Sequence, residues 1–417
     1  MGQVRRAPKL LVLLVLAAAS VAAGCGSGEG GSGAKAVNWY VFNEPGGAYE
    51  QAVKDCNAQA KGRYRINYVR LPTDANQQRE LVVRRLAAKD STVDLVGMDV
   101  IWTAEFAEAG WIKPWTGRRA QQASQGKLKG PLTTVRYKGQ IWAIPFTSNT
   151  QLLWYRKDRV KKPPKDFTWD EMIDDAARQK KAIEVQSKQY EGLTVWVNAM
   201  TLGAGGQIVD EQGNVKVSDN ARQAAEIQRK LASTGTAPPN YGNTAEDDAR
   251  LGFETGRSNY QVNYTYIYPS AAEVSGGFQK NIGWTRYPRT DKDRPSRPPL
   301  GGINLGVGAY TKKPELAFDA AVCLANNNNQ ALASEKGGLP PTTESVYNDP
   351  RVKKAFPFAA ELRDSINAAG PRPVTAAYSD ISLAIQKTFH PPDKVDPNTV
   401  VQKLKDRLDK AAEGKIF

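Results

Sequence analysis

The chain has 417 residues, 41% hydrophobic and 24% charged, with a formal charge of +14 carried by scattered basic residues and isolated doublets such as Lys161-Lys162, Lys180-Lys181 and Lys353-Lys354. That distribution argues against nucleic-acid binding and at most suggests contact with an anionic surface. One histidine (His390, in the proline-bounded "FHPPD") and three cysteines argue against a histidine triad or a Cys/His metal cluster. No G-x-S-x-G or Walker-type loop occurs, so neither metal nor cofactor is expected.

In chain order, Arg5, Arg6 and Lys9 precede an apolar stretch over residues 10–19, which reads as an export signal occupying residues 1–24. The stretch is shorter than the roughly 20 apolar residues of a membrane span. It ends in Ala22-Ala23-Gly24-Cys25, which resembles a bacterial lipobox in which the cysteine is lipidated and becomes the mature N-terminus; Ala22 stands where leucine is usual. The alternative is an ordinary secretory signal with an incidental cysteine. Residues 25–34 are rich in Gly and Ser and read as a flexible tether. Anchor and tether together predict an extracytoplasmic body held at the cell membrane by Cys25, with a charge of +11 once the three signal-peptide cations are removed.

About 380 residues follow, enough for two or three domains of about 100–200 residues each. None of their apolar runs approaches the about 18 residues of a span, so the body reads as soluble. Residues 35–42 predict a strand, 43–47 a turn, 48–60 an amphipathic helix, 64–71 a strand, 76–88 a helix and 93–98 a short apolar strand. This rhythm argues for a parallel α/β sheet. Ligands of such sheets bind beyond the carboxyl ends of strands, which makes Asn43, Glu44 and Asp99 site candidates. Two apolar segments then flank the polar "TSNT" at 147–150, and "TWDE" at 168–171 predicts a capped helix start. Helices are predicted over 191–202, 221–231 and 245–255, strands over 259–268 and 301–309, and a last amphipathic helix over 398–412. With Cys25 lipidated, Cys56 and Cys323 remain, both in helix-like segments. Outside the cytoplasm such a pair tends to oxidise, closing a loop of about 270 residues; two buried free thiols are the alternative.

Three segments carry a family resemblance. "IWAIPFTSNTQLLWYRKDRV", "PLGGINLGVGAYTKKPELAFDAAVCLANN" and "EKGGLPPTTESVYNDPRVKKAF" resemble, in order, the interlobe crossings of bacterial solute-binding proteins of the maltose/trehalose-binding type. Within that type, "MDVIWTAEFAEAGW", "SNTQLLWYR", "EGLTVWVN", "GGINL" and "RPVTAAYSDIS" are most similar to trehalose-binding lipoproteins. The resemblance implies an α/β, periplasmic-binding-protein-like fold of type II, with two lobes joined by crossing hinge segments. It assigns the first lobe to 36–147 and 304–337, and the second to 150–301 and 340–417. It also implies a monomer that binds a disaccharide between its lobes, with trehalose favoured, and delivers it to the transmembrane subunits of an ABC permease driven by a cytoplasmic ATPase. It favours the Cys56–Cys323 disulfide and implies no catalysis.

A sugar offers hydroxyls around an apolar ring face, so a site needs carboxylates, amides, arginine and aromatic rings. Asp99, followed closely by Trp102, fits that need, with a helix cap beside a core tryptophan as the plainer reading. Asn149 lies at the first crossing, or simply in a turn. Glu246 opens a helix, where a carboxylate also suits the dipole. Tyr264 and Tyr266 are two apart in a predicted strand and share one face, for stacking or for core packing; Tyr264 stands where the trehalose-binding pattern has tryptophan. Gly301 and Gly302 allow close backbone approach or a hinge turn. Arg372, between prolines, matches a sugar-contacting arginine by resemblance, or is a surface charge. Gln78, Arg79, Asn43 and Glu44 are further first-lobe candidates, while Trp196 fits the core equally well. A glycosidase would need two carboxylates about 5–9.5 Å apart, with Asp99 and Glu246 as the pair to suspect; no hydrolase motif accompanies them.

Overall fold

The structure is a computed structural model and describes residues 35–412 apart from 73, 162–163 and 211–213. The expected signal, tether and lipidated Cys25 lie outside the described residues. The principal strands, in chain order, are β1 (Lys35–Phe42), β2 (Tyr64–Leu71), β3 (Leu95–Asp99), β4 (Ile144–Asn149), β5 (Gln151–Arg156), β6 (Ala182–Glu184), β7 (Ser258–Tyr264), β8 (Ile282–Arg286) and β9 (Gly301–Val307). The principal helices are α1 (Ala48–Gln59), α2 (Ala75–Ala87), α3 (Trp102–Glu108), α4 (Gly117–Ser124), α5 (Trp169–Arg178), α6 (Glu191–Gly203), α7 (Glu246–Glu254), α8 (Pro314–Leu324), α9 (Asn327–Gly337), α10 (Tyr378–Phe389) and α11 (Val400–Ala412).

The first lobe is built on a sheet of order β2-β1-β3-β9-β4. β1 runs parallel to β2 and β3, as the strand–helix–strand rhythm predicts, and β9 enters antiparallel between β3 and β4. Trp39, Val41, Phe146 and Leu305 are fully buried in its core. Each such side chain contributes about 1.5–3 kcal/mol by leaving water. The second lobe is built on a sheet of order β8-β5-β7-β6, with Trp169, Trp196 and Tyr260 in one core and Trp154, Phe253 and Phe356 in another. The predicted capping box at α5 is present: the Glu171 amide donates to Thr168 Oγ1 (3.1 Å) and the Thr168 amide to Glu171 Oε2 (2.8 Å). This is the mixed α/β, two-lobe architecture of type II periplasmic-binding-protein-like folds.

The lobes are joined where the chain passes from β4 through Thr150 straight into β5, where residues 299–301 return to β9, and where residues 338–343 cross after α9. The three crossings are stitched side by side. Ser148 N donates to Pro340 O (2.8 Å), Thr342 Oγ1 to Pro145 O (3.0 Å), and Thr150 Oγ1 to Pro299 O (2.8 Å).

The strand predicted over 259–268 stops at Tyr264. Its partner ends at the pair Gln151–Tyr264, because β5 begins where the chain has just crossed from the first lobe. Residues beyond have no strand to pair with, and Pro269 lacks a ladder donor. They wind into a short helix, Ile267–Ser270. Tyr264, Tyr266 and Tyr268 therefore do not line one strand face; Tyr268 instead packs on Trp284 (5.8 Å) and Phe358 (5.5 Å).

Cys56 on α1 and Cys323 on α8 form the expected disulfide, at a sequence separation of 267. It ties the first helix of the lobe to a helix contributed after the chain has made its excursion through the second. Cys323→Ser is expected to lower stability by about 2–5 kcal/mol, read from the urea midpoint, with the far-ultraviolet circular dichroism unchanged; an unaltered midpoint would contradict a structural role for the bond.

Candidate ligand-binding site

Asp99 is the last residue of β3, placed at the carboxyl edge of the first sheet beside Ile303 of β9. Its Oδ1 accepts from the Ile101 amide (3.2 Å) and from Arg372 Nη2 (2.9 Å). Arg372 belongs to the second lobe, on the segment leading to α10. Its Nη1 donates to Glu191 Oε1 (2.7 Å), at the first residue of α6. Glu191 also receives the Tyr378 hydroxyl and Ser382 Oγ (2.7 Å), both from α10. One guanidinium thus clamps a carboxylate from each lobe, and its side chain is only 6% exposed.

Local sequence explains this placement. Pro371 and Pro373 stiffen the backbone around Arg372, and Asn198 Nδ2 holds the Pro371 carbonyl (3.1 Å). Glu191 sits where the α6 dipole favours an anion. Burial alone would disfavour the Arg372 cation, but the Asp99 carboxylate, with Tyr378 and Glu191, outweighs it and holds the group firmly charged. Arg372 Nε is buried without a partner.

Beside this clamp, Gly301 pairs with Asn149 across β9 and β4. A Cβ on Gly301 would stand 4.0 Å from Arg372 Nη2. Gly302 has φ of +138°, and a Cβ there would fall 2.3 Å from Thr147 O, so only glycine fits. Both glycines lie in β9 rather than in a turn, and the close approach is that of Gly302 to the Thr147 carbonyl.

A second group surrounds Glu246, the first residue of α7. Burial pushes its carboxyl up, and the nearby Tyr190 hydroxyl opposes the shift. The Tyr190, Tyr264 and Tyr266 hydroxyls are all raised, first by burial and then by nearby carboxylates, Glu246 among them. Tyr264 also feels the charges of Arg372, Glu191 and Asp99, so the two groups lie within each other's electrostatic reach. Asn263 fixes the junction: its Nδ2 donates to Glu246 O (3.0 Å) and its Oδ1 accepts from Tyr264 N (2.9 Å).

The structure therefore brings together Asp99, Asn149, Glu246, Tyr264, Tyr266, Gly301, Gly302 and Arg372. It places the other candidates differently. Both Glu44 oxygens accept backbone amides, from Gly46 and Ala48 (2.6 Å each), so this carboxylate fastens the start of α1. Asn43 is exposed beside it, and Gln78 is buried on α2. Arg79 pairs with Glu105 (2.8 Å) and is near enough to Asp380 of the second lobe to be raised by it. Trp102 is a core residue stacked on Phe106 (5.8 Å), and Trp196 packs on Trp169 (5.7 Å). His390 bonds the Gly242 carbonyl. Sequence reasoning missed Glu191, Tyr378, Ser382 and Tyr190. The signal was a carboxylate opening α6, a helix otherwise almost wholly buried.

Two α/β lobes hinged by three adjoining crossings, with convergent buried donors and acceptors between them, are the architecture of a binding protein that closes on a polar solute. Residues 41–331 match the family model described as "Bacterial extracellular solute-binding protein", and the chain belongs to that family. It is 28% identical over 373 residues to a "Probable ABC transporter-binding protein" of Deinococcus radiodurans, covering 83% of this chain and 86% of that one. It is 23% identical over 333 residues to a maltotriose-binding protein of Pyrococcus abyssi, covering 75% and 69% respectively. The solved structure of maltose-bound MalE3 of T. maritima aligns with a TM-score of 0.78 at 24% identity, covering 90% of this chain and 99% of that one. These are binding proteins, not enzymes, and the glycosidase alternative falls with that finding. Among the described residues no helix is long and apolar enough to cross a membrane, and no cluster of three His, Cys, Asp or Glu residues is suited to a metal.

Arg372→Met leaves the Asp99 and Glu191 carboxylates facing each other without a cation. Both are partly open to solvent, at 26% and 34%. The expected destabilisation is therefore about 2–3 kcal/mol, below the about 3–5 kcal/mol of a fully buried pair. Adding Glu191→Gln to that variant should recover part of the loss in a urea titration. Additive losses would show that the clamp is not one electrostatic unit.

Proposed function

We propose that this protein captures a disaccharide between its lobes, with trehalose favoured, and delivers it to the transmembrane subunits of an ABC permease powered by a cytoplasmic ATPase. It acts as a monomer held at the cell membrane through a lipid on Cys25. The observation that carries the reading is the Asp99–Arg372–Glu191 clamp adjoining Tyr264 and Glu246. Charged groups that neutralise one another can sit in a low-dielectric cleft and still offer strong hydrogen bonds to neutral hydroxyls. The unpartnered Arg372 Nε supplies one such donor, and tyrosine rings supply faces for a sugar ring.

The Asp99–Arg372 bond exists only when the lobes approach, so it biases the molecule towards closure. A ligand touching both lobes adds to the same bias, and the equilibrium shifts by its differential affinity for the closed form. Closure then presents both lobes to the permease in fixed relation. Trehalose is favoured by the segments resembling the trehalose-binding lipoprotein LpqY, among them "EGLTVWVN" and "RPVTAAYSDIS"; these supply Glu191, Arg372, Tyr378 and Ser382, the whole second-lobe half of the clamp.

A second reading is maltose, or another α-glucoside or polyol. It is favoured by the names of the Pyrococcus abyssi and T. maritima relatives, and by tyrosine at 264 in place of tryptophan. Isothermal titration with trehalose and maltose in parallel separates the two. One-to-one trehalose binding, weakened roughly tenfold or more by Asp99→Ala or Arg372→Ala (about 1.4 kcal/mol), is expected. Binding of maltose alone would replace trehalose by the second reading, and silence with both would overturn the disaccharide assignment.

A further inference from the structure

Away from the cleft, the first lobe holds a cavity of about 460 Å³ bounded by α4, the junction of α8 and α9, and the third crossing. Its polar wall includes Gln122, Gln125, Lys127, Asn327, Asn328 and Thr343, and no carboxylate lines it.

Three observations give this cavity the character of an anion receptor. Lys127 Nζ donates to Thr342 Oγ1 (3.1 Å) and Thr343 Oγ1 (3.0 Å), and among the described residues no carboxylate pairs with it. An ammonium has three donors, so one is left over, and burial without a counter-charge pushes the group down to about 7. Lys127 is half-buried, and a partly desolvated cation with no counter-charge beside an open cavity is an unmet electrostatic demand. Thr343 is the second observation. Its Oγ1 accepts from both Lys127 Nζ and Gln330 Nε2 (2.9 Å), which occupies both lone pairs and leaves its own proton to donate. The third is the start of α9, an eleven-residue helix whose Asn326 side chain caps the Asn329 amide (2.8 Å). The Asn327 and Asn328 amides remain at the positive end of the helix, in residues that line the cavity.

We propose that this cavity binds a free oxyanion of the phosphate or sulfate class, held by the Lys127 ammonium, the Thr343 hydroxyl and the first-turn amides of α9. Because Thr342 and Thr343 belong to the third crossing, the occupant touches the hinge through contacts independent of Asp99 and Arg372.

Sulfate is the suitable probe, since its charge is constant between pH 6 and 8.5. The other residues lining the cavity are glutamines, asparagines, Thr343 and the apolar Ile144, Val322 and Ala325, and with Thr342 of the crossing none of them titrates. An anion favours the charged lysine, so affinity falls as pH rises through about 7. Isothermal titration of the purified protein with sodium sulfate, against chloride at equal ionic strength, is expected to show saturable one-site binding at pH 6. That binding should weaken about tenfold or more at pH 8.5 and vanish in Lys127→Met, which keeps the side-chain length and removes a buried charge. Thr343→Val is expected to lose affinity severalfold with an unchanged urea midpoint. No saturable binding at pH 6, binding matched by chloride, or binding that survives Lys127→Met would overturn the proposal.

Discussion

A guanidinium cannot be left in a protein interior without anionic partners, because it does not shed its proton and its dehydration is costly. Arg372 is nearly inaccessible, and its two nearest carboxylates come from different lobes: Asp99 from the edge of the first sheet, Glu191 from the start of α6 in the second. Much else follows from satisfying that one ion. The prolines around it fix its backbone, Asn198 anchors that backbone, and Tyr378 and Ser382 hold Glu191 in place from α10. The consequence is that the lobes are coupled by charge at this point, beside an apolar cluster that also draws on both lobes, with Leu128 and Ala331 packed among Leu152, Trp154 and Ile366.

Separation also requires a hinge that bends without unravelling. The three crossings provide it by lying against one another, with Ser148, Thr150 and Thr342 bonding main-chain carbonyls on neighbouring crossings. Each lobe keeps a complete sheet and a core of its own, while a further apolar cluster draws on both. The direct passage from β4 to β5 through one residue keeps the pivot short. It also truncates β7 at Tyr264, and so decides that Tyr266 turns away into a helix near Glu246.

Much of the fold was legible because its signals are local. The alternation over 35–42 and 64–71, the amphipathic spacing of 48–60 and 76–88, and the Thr168/Glu171 box each specify one element within a few residues, and each element formed. Reading Cys56 and Cys323 as a pair relied on arithmetic rather than geometry, and the bond is there. What stayed illegible depends on long-range partners. Nothing near Glu44 announces that both its oxygens are consumed by backbone amides. Nothing near Tyr266 announces that the partner strand has run out. Asp99 and Arg372 were each visible as polar residues in special backbone settings, but their mutual bond spans 273 residues, and Glu191, which completes it, looked like an ordinary helix-opening carboxylate.

Two cations, Arg372 and Lys127, show what that partnership does. Arg372 is buried and Lys127 half-buried, and burial disfavours the charge on each. At Arg372 two carboxylates reverse the effect, so its charge is permanent and available for structure. At Lys127 only hydroxyls are present, which accept a hydrogen bond but bring no opposite charge, so the ammonium is drawn down towards neutrality. An ion pair locked in the cleft is a mechanical element, since its strength does not vary across the physiological pH range. A lone lysine poised near neutrality is a responsive one, because a proton or an anion changes its state. The first joins the lobes directly, and the second grips the crossing about which they turn.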